Sequence, residues 1–325
     1  MRRPVWIDTD CGFDDMAAIA MVADDRNWLI VGLGIVAGNT SLPRALGNAA
    51  RMHAFFRWDM PVFAGAAKPL IGPAITAEYA LGAGGMGTTG RSLPDAGFDA
   101  PLASALDGLT AAIEASPMPI DILALGPLTN IAIALLARPA LAKGIARITW
   151  MGGAVTGGNH TATAEFNAAA DPEALAVILD SGVPLRMVGL ECCRQVSVNT
   201  IDAAKLRGLL TESGRILADL FEGYVRIASP DGSRPQPLYD PVAASALLDD
   251  RAVAFIPAHV SVERSGTLTR GMTVCEFRPH RAAPNVEVAR SALATRVIDR
   301  MLAVFTSTAT RDHPAPSRMA ATAGE

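Results

Sequence analysis

Cysteine is scarce in this chain of 325 residues, and its few positions exclude two common kinds of site. The four cysteines are Cys11, Cys192, Cys193 and Cys275, and none of them belongs to a Cys-x-x-Cys pair. Their spacing excludes a disulfide framework and a zinc site built on cysteine. Free cysteines are typical of a reducing compartment, so we predict a cytoplasmic location.

Clustered basic charge and uninterrupted apolar segments are also lacking. The 28 Lys and Arg residues are scattered and are outnumbered by 32 Asp and Glu, which gives a net charge of −4. This distribution excludes a nucleic-acid footprint and favours a small-molecule substrate. Asp8 and Asp10 interrupt any signal-peptide core near the N-terminus. Residues 118–137 carry one charge, but Gly126-Pro127 divides them into a strand and a helix, so we predict no membrane span.

The chain has no internal repeat and no composition shift that would mark a linker. Half of its residues are apolar, which is enough for a large core. Strand-like and helix-like runs follow one another, which is typical of a single α/β domain with a mostly parallel central sheet flanked by helices. We assign residues 1–310 to this domain and expect residues 311–325 to form a flexible tail.

Four aspartates stand within eight positions directly after the β-prone run Val5–Ile7. An Ala-rich, helix-prone segment follows Asp15, so we predict a strand, an acidic loop and a helix start. Carboxylates this close repel one another unless a cation or water separates them, and the hard cations Ca²⁺ and Mg²⁺ prefer oxygen ligands. The alternative is that Asp14 and Asp15 only cap the helix, while Asp8 and Asp10 lie on a solvated loop.

Polar residues also follow two other predicted strands. Asn39 comes after the strand 28–36, and the carboxyl ends of parallel strands share one edge of a sheet, so Asn39 belongs beside the aspartates. Taken alone, Asn39 is better explained as a residue that shapes a turn. The loop after the strand 145–151 offers hydrogen-bond partners and an aromatic face suited to a sugar. These residues are Asn159, Glu165, Phe166 and Asn167.

The acidic run resembles the N-terminal signature of the nucleoside hydrolases, Asp-x-Asp-Pro-Gly-x-Asp-Asp, with Cys11 at the position of the family's Pro. Further segments resemble family motifs in the family's order, from residue 5 to about 305. They are Leu125-Gly126-Pro127-Leu128-Thr129-Asn130, Met151-Gly152-Gly153, Asn159 with Glu165-Phe166-Asn167, Asp240-Pro241, and the closing strands at 270–274 and 284–289.

The resemblance implies a Rossmann-like nucleoside hydrolase fold with its site at the C-terminal ends of the strands. It implies calcium-dependent hydrolysis of the N-glycosidic bond of ribonucleosides to ribose and free base. The Ca²⁺ ligands would be Asp10, Asp15, Asp240 and the backbone carbonyl of Leu125. Asp10 would also act as the general base toward metal-bound water. Family members suggest a homodimer or a homotetramer.

The resemblance also assigns the substrate-binding residues. By analogy, Asn159 and Glu165 would hold the 5′-hydroxyl of the sugar, and Asn167 with Asp14 would bind its 2′- and 3′-hydroxyls. The remaining predicted substrate-binding residues are Asn39, Met151 and Phe166.

This chain departs from the family where the leaving base is activated. Tyr239 replaces the histidine that precedes the metal-binding Asp, and Leu81-Gly82 stands where many members carry a second histidine. We therefore assign leaving-group activation to Tyr239, with His160 and Arg194 as further candidates. Asp240 with Pro241 also has the pattern of a helix N-cap followed by a first-position proline.

Two other functions fit parts of the pattern. A ribosyl-binding homologue with weak or no hydrolase activity is consistent with the missing histidines. An Mg²⁺-dependent phosphotransferase would use Asp8 and Asp10 as nucleophile and acid, although no clear phosphate-holding lysine accompanies them.

The long Gly- and Pro-rich stretch 65–101 is either a functional loop, with Gly84–Gly87 as the hinge of a lid, or a plain flexible insertion.

Overall fold

The structure is a computed structural model that describes residues 2–82 and 84–311. Apart from Arg311, the predicted C-terminal tail lies outside the described residues. The strands are β1 (Arg3–Thr9), β2 (Trp28–Ile35), β3 (Val62–Ala64), β4 (Ile120–Ala124), β5 (Ile145–Met151), β6 (Leu185–Val188), β7 (Ser197–Val198), β8 (Gln236–Pro237), β9 (Val253–Val262), β10 (Thr273–Glu276) and β11 (Val286–Ala292).

The helices lie between these strands and after the last of them. They are α1 (Phe13–Asp24), α2 (Leu42–Phe56), α3 (Glu78–Leu81), α4 (Ala105–Ala115), α5 (Thr129–Ala137), α6 (Phe166–Ala170), α7 (Pro172–Asp180), α8 (Leu190–Cys193), α9 (Thr200–Arg207), α10 (Glu212–Val225), α11 (Asp240–Leu248) and α12 (Ala294–Thr310), with a 3₁₀ helix over Pro139–Gly144. Within the described ranges, no helix has both the length and the apolar character needed to cross a bilayer.

One large sheet organises the domain. Its strand order is β10-β9-β11-β6-β5-β4-β1-β2-β3. The strands from β3 to β11 in this order run parallel, whereas β9 is antiparallel to β11 and to β10. The predicted single α/β domain with a mostly parallel sheet is therefore confirmed. β7 and β8 form a separate antiparallel pair.

The sheet is buried on both faces, which explains the apolar runs in the sequence. In β1, Val5, Trp6 and Ile7 are fully buried, and the alternation of side chains sends Trp6 to the opposite face from its neighbours. Helix α1 is almost entirely buried because its Ala residues let it pack closely against the sheet and against α11 and α12. This packing fixes the position of the acidic loop between β1 and α1.

Some local predictions need correction. Helix α4 and strand β9 were not predicted, and the long loop contains the short helix α3. Asp240 is not the N-cap of its helix: Tyr239 occupies the cap position and Asp240 is the first helical residue. The shift by one residue places the Asp240 carboxylate in the first turn, where negative charge is favourable.

Candidate active site

The carboxyl ends of the parallel strands bring the predicted polar residues to one edge of the sheet. β1 leads into Asp10, and Asn39 follows β2. Helices α1 and α11 add carboxylates from their first turns. The lining encloses a pocket of about 250 Å³. The predicted residues that line it are Asp10, Asp14, Asn39, Leu125, Met151, Asn159, Glu165, Phe166, Asn167, Tyr239 and Asp240, and Asp15 lies fully buried close by.

Asn39 connects two of the predicted carboxylates. Its main-chain N–H donates to Asp10 Oδ2 at 2.7 Å, and its side-chain amide donates to Asp10 Oδ1 at 2.8 Å and to Asp15 Oδ2 at 3.2 Å. A Cβ at Gly38 would lie 2.1 Å from Asp10 Oδ2, so the backbone can approach the carboxylate this closely only with glycine there. Asp15 also accepts a hydrogen bond from the Gly12 N–H at 2.8 Å, at the start of α1.

Three carboxylates form an acidic cluster that can hold a metal ion. Asp14, Asp15 and Asp240 each offer one oxygen, and these oxygens lie within 4.8 Å of one another. Of the predicted ligands, Asp15 and Asp240 belong to this cluster and Asp10 does not, whereas Asp14, which the family resemblance had assigned to the sugar, does. The Leu125 carbonyl lines the same pocket and accepts a hydrogen bond from Asn167 Nδ2 at 3.0 Å.

The electrostatics of this cluster call for a positive charge. Burial raises the pKa of Asp10 and of Asp240 well above the usual range, and the charge of Asp15 raises both further. Burial, followed by the charge of Asp15, raises the pKa of Asp14 to about 7. In the part of the chain that the structure describes, no lysine or arginine is among the main groups that shift these values. A cation would remove the repulsion that the buried carboxylates now exert on one another.

Asp8 does not join the other three aspartates of the run. Its carboxylate accepts hydrogen bonds from Asn130 Nδ2 at 3.2 Å and from the Trp6 indole at 3.3 Å. Burial raises the pKa of Asp8 to about 7, against the opposing effect of these two donors. The Asn130 carboxamide oxygen in turn accepts from the Ala66 N–H at 2.7 Å, so Asp8 ties β1 to α5 and to the chain after β3.

The predicted sugar-binding loop is held by its own polar side chains. Glu165 is buried and caps α6, accepting hydrogen bonds from the N–H groups of Asn167 at 2.8 Å, Ala168 at 3.0 Å and Gly153 at 2.9 Å. Burial raises the pKa of Glu165 to about 7, although these donors favour the ionised form. Asn159 Oδ1 accepts from the Phe166 N–H at 2.9 Å. Both side chains reach the pocket with part of their hydrogen-bonding capacity already used.

Three tyrosines line the pocket, Tyr79, Tyr224 and Tyr239, and of these the sequence predicted only Tyr239. Tyr239 is mostly buried, which raises its pKa to about 12. Tyr224 of α10 lies deeper in the chain's interior, and its hydroxyl donates to the Pro237 carbonyl at 2.7 Å and lies 3.3 Å from Asp14 Oδ2. Its position in an amphipathic helix gave no local signal of function. Gln236 and Ile227 also line the pocket without having been predicted.

An aromatic group stands at the mouth of the pocket. Tyr79 of α3 is 70 % exposed, and its hydroxyl lies 3.3 Å from His160 Nδ1. The His160 ring meets Phe166 edge to face at 5.5 Å. Arg194, the other residue considered for leaving-group activation, donates instead to the Gly158 carbonyl at 3.3 Å.

Comparison with known proteins gives the same family from sequence and from fold. The profile of the family described as inosine-uridine preferring nucleoside hydrolase matches residues 5–299. A pyrimidine-specific ribonucleoside hydrolase RihA from Salmonella arizonae is 33 % identical over 280 residues, which cover 85 % of this chain and 89 % of that protein. The protein of the same name from Escherichia coli O9:H4 is 32 % identical over 310 residues, covering 93 % and 99 %.

Solved structures show the same likeness. A purine-preferring ribonucleoside hydrolase from Gardnerella vaginalis superimposes with a TM-score of 0.85 at 25 % identity, covering 94 % of this chain and 99 % of that one. The plant nucleoside hydrolase PpNRh1 gives a TM-score of 0.83 at 30 % identity, covering 94 % and 100 %. The chain therefore belongs to the inosine-uridine preferring nucleoside hydrolase family, a family of glycosidases that act on N-glycosyl compounds.

Proposed function

We propose that the chain hydrolyses ribonucleosides to ribose and free base with a bound Ca²⁺. The observation that carries the proposal is the meeting of Asp10, Asp14, Asp15 and Asp240 beside one pocket at the strand ends, next to a loop of amide and carboxylate side chains. Family membership supports the reaction class, and the geometry supports the assignment of roles to particular residues.

The donor set suits calcium. The ligands that we propose are all oxygens, namely the carboxylates of Asp10, Asp15 and Asp240 and the carbonyl of Leu125, and Ca²⁺ takes oxygen ligands in flexible arrangements. A bound Ca²⁺ would neutralise the carboxylates, make nearby water more acidic and offer positions to the sugar hydroxyls. Asp14 belongs to the same cluster, but it also lies beside the Tyr224 hydroxyl at the pocket, and we assign it with Asn167 to the 2′- and 3′-hydroxyls of the sugar.

Asp10 is the proposed general base. Its two oxygens are held by Asn39, so the carboxylate is oriented before substrate arrives. Asp10 takes a proton from water while that water's oxygen bonds to the anomeric carbon and the C–N bond breaks. Positive charge develops on the ribose ring, and the surrounding carboxylates stabilise it.

The remaining roles concern the two ends of the substrate. Asn159 and Glu165 bind the 5′-hydroxyl, while Met151 and Phe166 provide an apolar surface. The departing base receives a proton or a hydrogen bond from Tyr239, which replaces the histidine of many relatives. Relatives named for pyrimidine and for purine substrates are both similar to this chain, so the base has to be found by experiment.

The test is a panel of purine and pyrimidine ribonucleosides and a nitrophenyl riboside, with released reducing sugar as the readout. Ribose release from a nucleoside supports the proposal and identifies the base. Cleavage of the nitrophenyl riboside alone would show that the sugar and metal sites work without base activation. No release from any substrate would overturn the hydrolase and favour the ribosyl-binding alternative.

Assembly and location remain predictions. A homodimer or a homotetramer is expected from the family resemblance, and light scattering of the purified protein would measure it. A cytoplasmic location is expected from the unpaired cysteines, and the described cysteines form no disulfide.

A further inference from the structure

Segment 84–91, which follows α3, lies on helix α10. The anchor is Asp219, a buried side chain on α10. The Arg91 N–H donates to Asp219 Oδ2 at 2.8 Å, and the Thr89 N–H donates to the Asp219 carbonyl at 3.1 Å. Arg207 of α9 completes the arrangement by donating to Asp219 Oδ1 at 2.7 Å. The Arg91 guanidinium also donates to Asp219 Oδ2 at 3.4 Å, so Asp219 accepts from two backbone N–H groups of the segment and from two guanidinium groups.

Backbone packing supports the same docking. A Cβ at Gly223 of α10 would lie 2.4 Å from the Gly87 carbonyl oxygen. The backbone of α10 and the backbone of the segment are therefore in contact at a point that has no room for a side chain. On the other side, the Gly84 carbonyl accepts a hydrogen bond from Asn48 Nδ2 at 2.9 Å, and the same amide donates to the Cys11 carbonyl at 3.2 Å. The segment is thus held on α10 and is linked to the acidic loop through the Asn48 side chain of α2, an arrangement that does not suit a freely moving hinge.

Docking of the segment bears on the pocket through α3. Tyr79, Ala80 and Leu81 of α3 line the pocket, and the Gly85 N–H donates to the Gly82 carbonyl directly after this helix at 2.9 Å. The start of α3 is held separately, because Thr40 Oγ1 donates to Glu78 at 2.8 Å. Helix α3 has only four residues and depends on contacts at both of its ends.

We propose that Asp219 is a positioning residue for substrate binding. By fixing segment 84–91 on α10 it holds α3, with Tyr79 and Leu81, over the pocket. The same helix carries Tyr224 one turn further on, so the pocket wall and the tyrosine beside Asp14 share one support. The inference rests on the proposed function for its kinetic readout.

The test is Asp219→Asn, which keeps the shape of the side chain and removes its charge. We expect KM for the ribonucleoside to rise about tenfold while kcat stays within about threefold, because binding contacts are lost and the catalytic groups are kept. Hydrogen exchange of the 84–91 amides should become faster. Gly223→Ala should produce the same pattern without touching any charge.

Glu212→Gln is the matched control. Glu212 also lies on α10 and pairs with Arg91 at 2.9 Å, but it is 64 % exposed and does not bind the backbone of the segment. It should leave KM and the exchange rates unchanged. An equal rise of KM in Glu212→Gln would overturn the proposal. So would faster hydrogen exchange in Asp219→Asn with KM unchanged, or a lower melting temperature as the only effect of Asp219→Asn.

Failure of the proposed function is distinguishable from failure of this inference. If the unmodified protein releases no ribose from any nucleoside, the hydrolase proposal is contradicted. The binding of ribose, measured by calorimetry, then replaces KM as the readout for the Asp219 inference. Weaker ribose binding in Asp219→Asn than in Glu212→Gln would still support the positioning role. Equal binding by the two variants, or no binding by the unmodified protein, would contradict it.

Discussion

Asn39 holds both carboxylate oxygens of Asp10, one through its main-chain N–H at 2.7 Å and the other through its side-chain amide at 2.8 Å. The two residues stand 29 positions apart, at the ends of adjacent parallel strands. A carboxylate held in this way cannot rotate without losing two charge-assisted hydrogen bonds, so its orientation is fixed before any ligand binds. This pre-orientation is what a general base requires.

Replacing Asp10 by Asn should lower kcat by about 10²–10⁴, the usual contribution of a general base. The amide keeps the size of the side chain but can accept only one of the two hydrogen bonds from Asn39, so the melting temperature without metal is measured on the same variant to separate a loss of stability from the loss of the base. The comparison is made with steady-state ribose release on the nucleoside that the unmodified protein prefers. Near-normal turnover in this variant would remove Asp10 from the mechanism.

Tyr239→Phe should separate leaving-group activation from the rest of the reaction. We expect kcat on ribonucleosides to fall by about 10²-fold, the lower end of the range for proton donation, while hydrolysis of a nitrophenyl riboside stays nearly unchanged because its leaving group departs without a proton. Rates on the two substrates are compared for the same preparation.

Tyr224→Phe is the control for this comparison. It keeps the aromatic contact with Phe13, whose ring centroid lies 5.0 Å away, and removes the hydroxyl beside Asp14. Its effect should be of similar size on both substrates, since Asp14 is assigned to the sugar. A larger loss on nucleosides than on the nitrophenyl riboside would transfer the donor role from Tyr239 to Tyr224.

Much of this architecture was predictable because it follows from local patterns. Buried parallel strands appear as apolar runs, and the acidic run after β1 identified the edge of the sheet that carries the site. Strand β9 was not predicted because Pro257 interrupts its pattern. Proline, which has no N–H to donate, is tolerated at this position because β10 pairs only with residues 259–262 of β9. Helix α4 had a readable start, since Ser104 caps it by accepting from the Asp107 N–H.

The separate roles within the acidic run were predicted from the family resemblance, and the residues alone could not have given them. Asp8 and Asp10 differ in their surroundings because Asn130, 122 positions from Asp8, donates to Asp8, while Asn39 donates to Asp10. Tyr224 enters the site only through the packing of α10 beside α1. Such assignments depend on tertiary contacts that leave no local trace in the sequence.

Stability should depend on pH in opposite ways with and without metal. Without metal the folded-state pKa values of Asp10, Asp14 and Asp240 lie above the ordinary value of 3.8, with that of Asp14 at about 7. The folded state therefore binds more protons than the unfolded state between these limits, so this contribution is present at low pH and is lost as pH rises through about 7.

Bound Ca²⁺ should offset this loss of stability at high pH. Because metal binding requires deprotonated carboxylates, added Ca²⁺ should raise the melting temperature more at pH 8 than at pH 5.5, with about 2.7 kcal/mol of stabilisation at a hundredfold excess over Kd. Melting curves with chelator and with Ca²⁺ at the two pH values measure the effect. An equal or larger shift at pH 5.5 would contradict the assignment of the carboxylates as ligands.

Position 11, which is Cys in this chain, should not tolerate the proline of the family signature. Its φ is +60°, which proline cannot adopt, and its N–H donates to Thr9 Oγ1 at 3.1 Å. Cys11→Pro should therefore lower the free energy of unfolding by more than about 1 kcal/mol, whereas Cys11→Gly relieves the backbone and offsets part of the lost packing. Denaturant unfolding of both variants decides the point, and a Cys11→Pro protein as stable as the original would be inconsistent with this loop conformation.

The most direct test of the central claim is ribose release by the unmodified protein before chelation, after chelation and after Ca²⁺ is restored. We expect turnover of at least one ribonucleoside that disappears with the chelator and returns with Ca²⁺. Undiminished ribose release in the chelated protein would contradict the metal-assisted mechanism assigned to Asp10, Asp15, Asp240 and the Leu125 carbonyl.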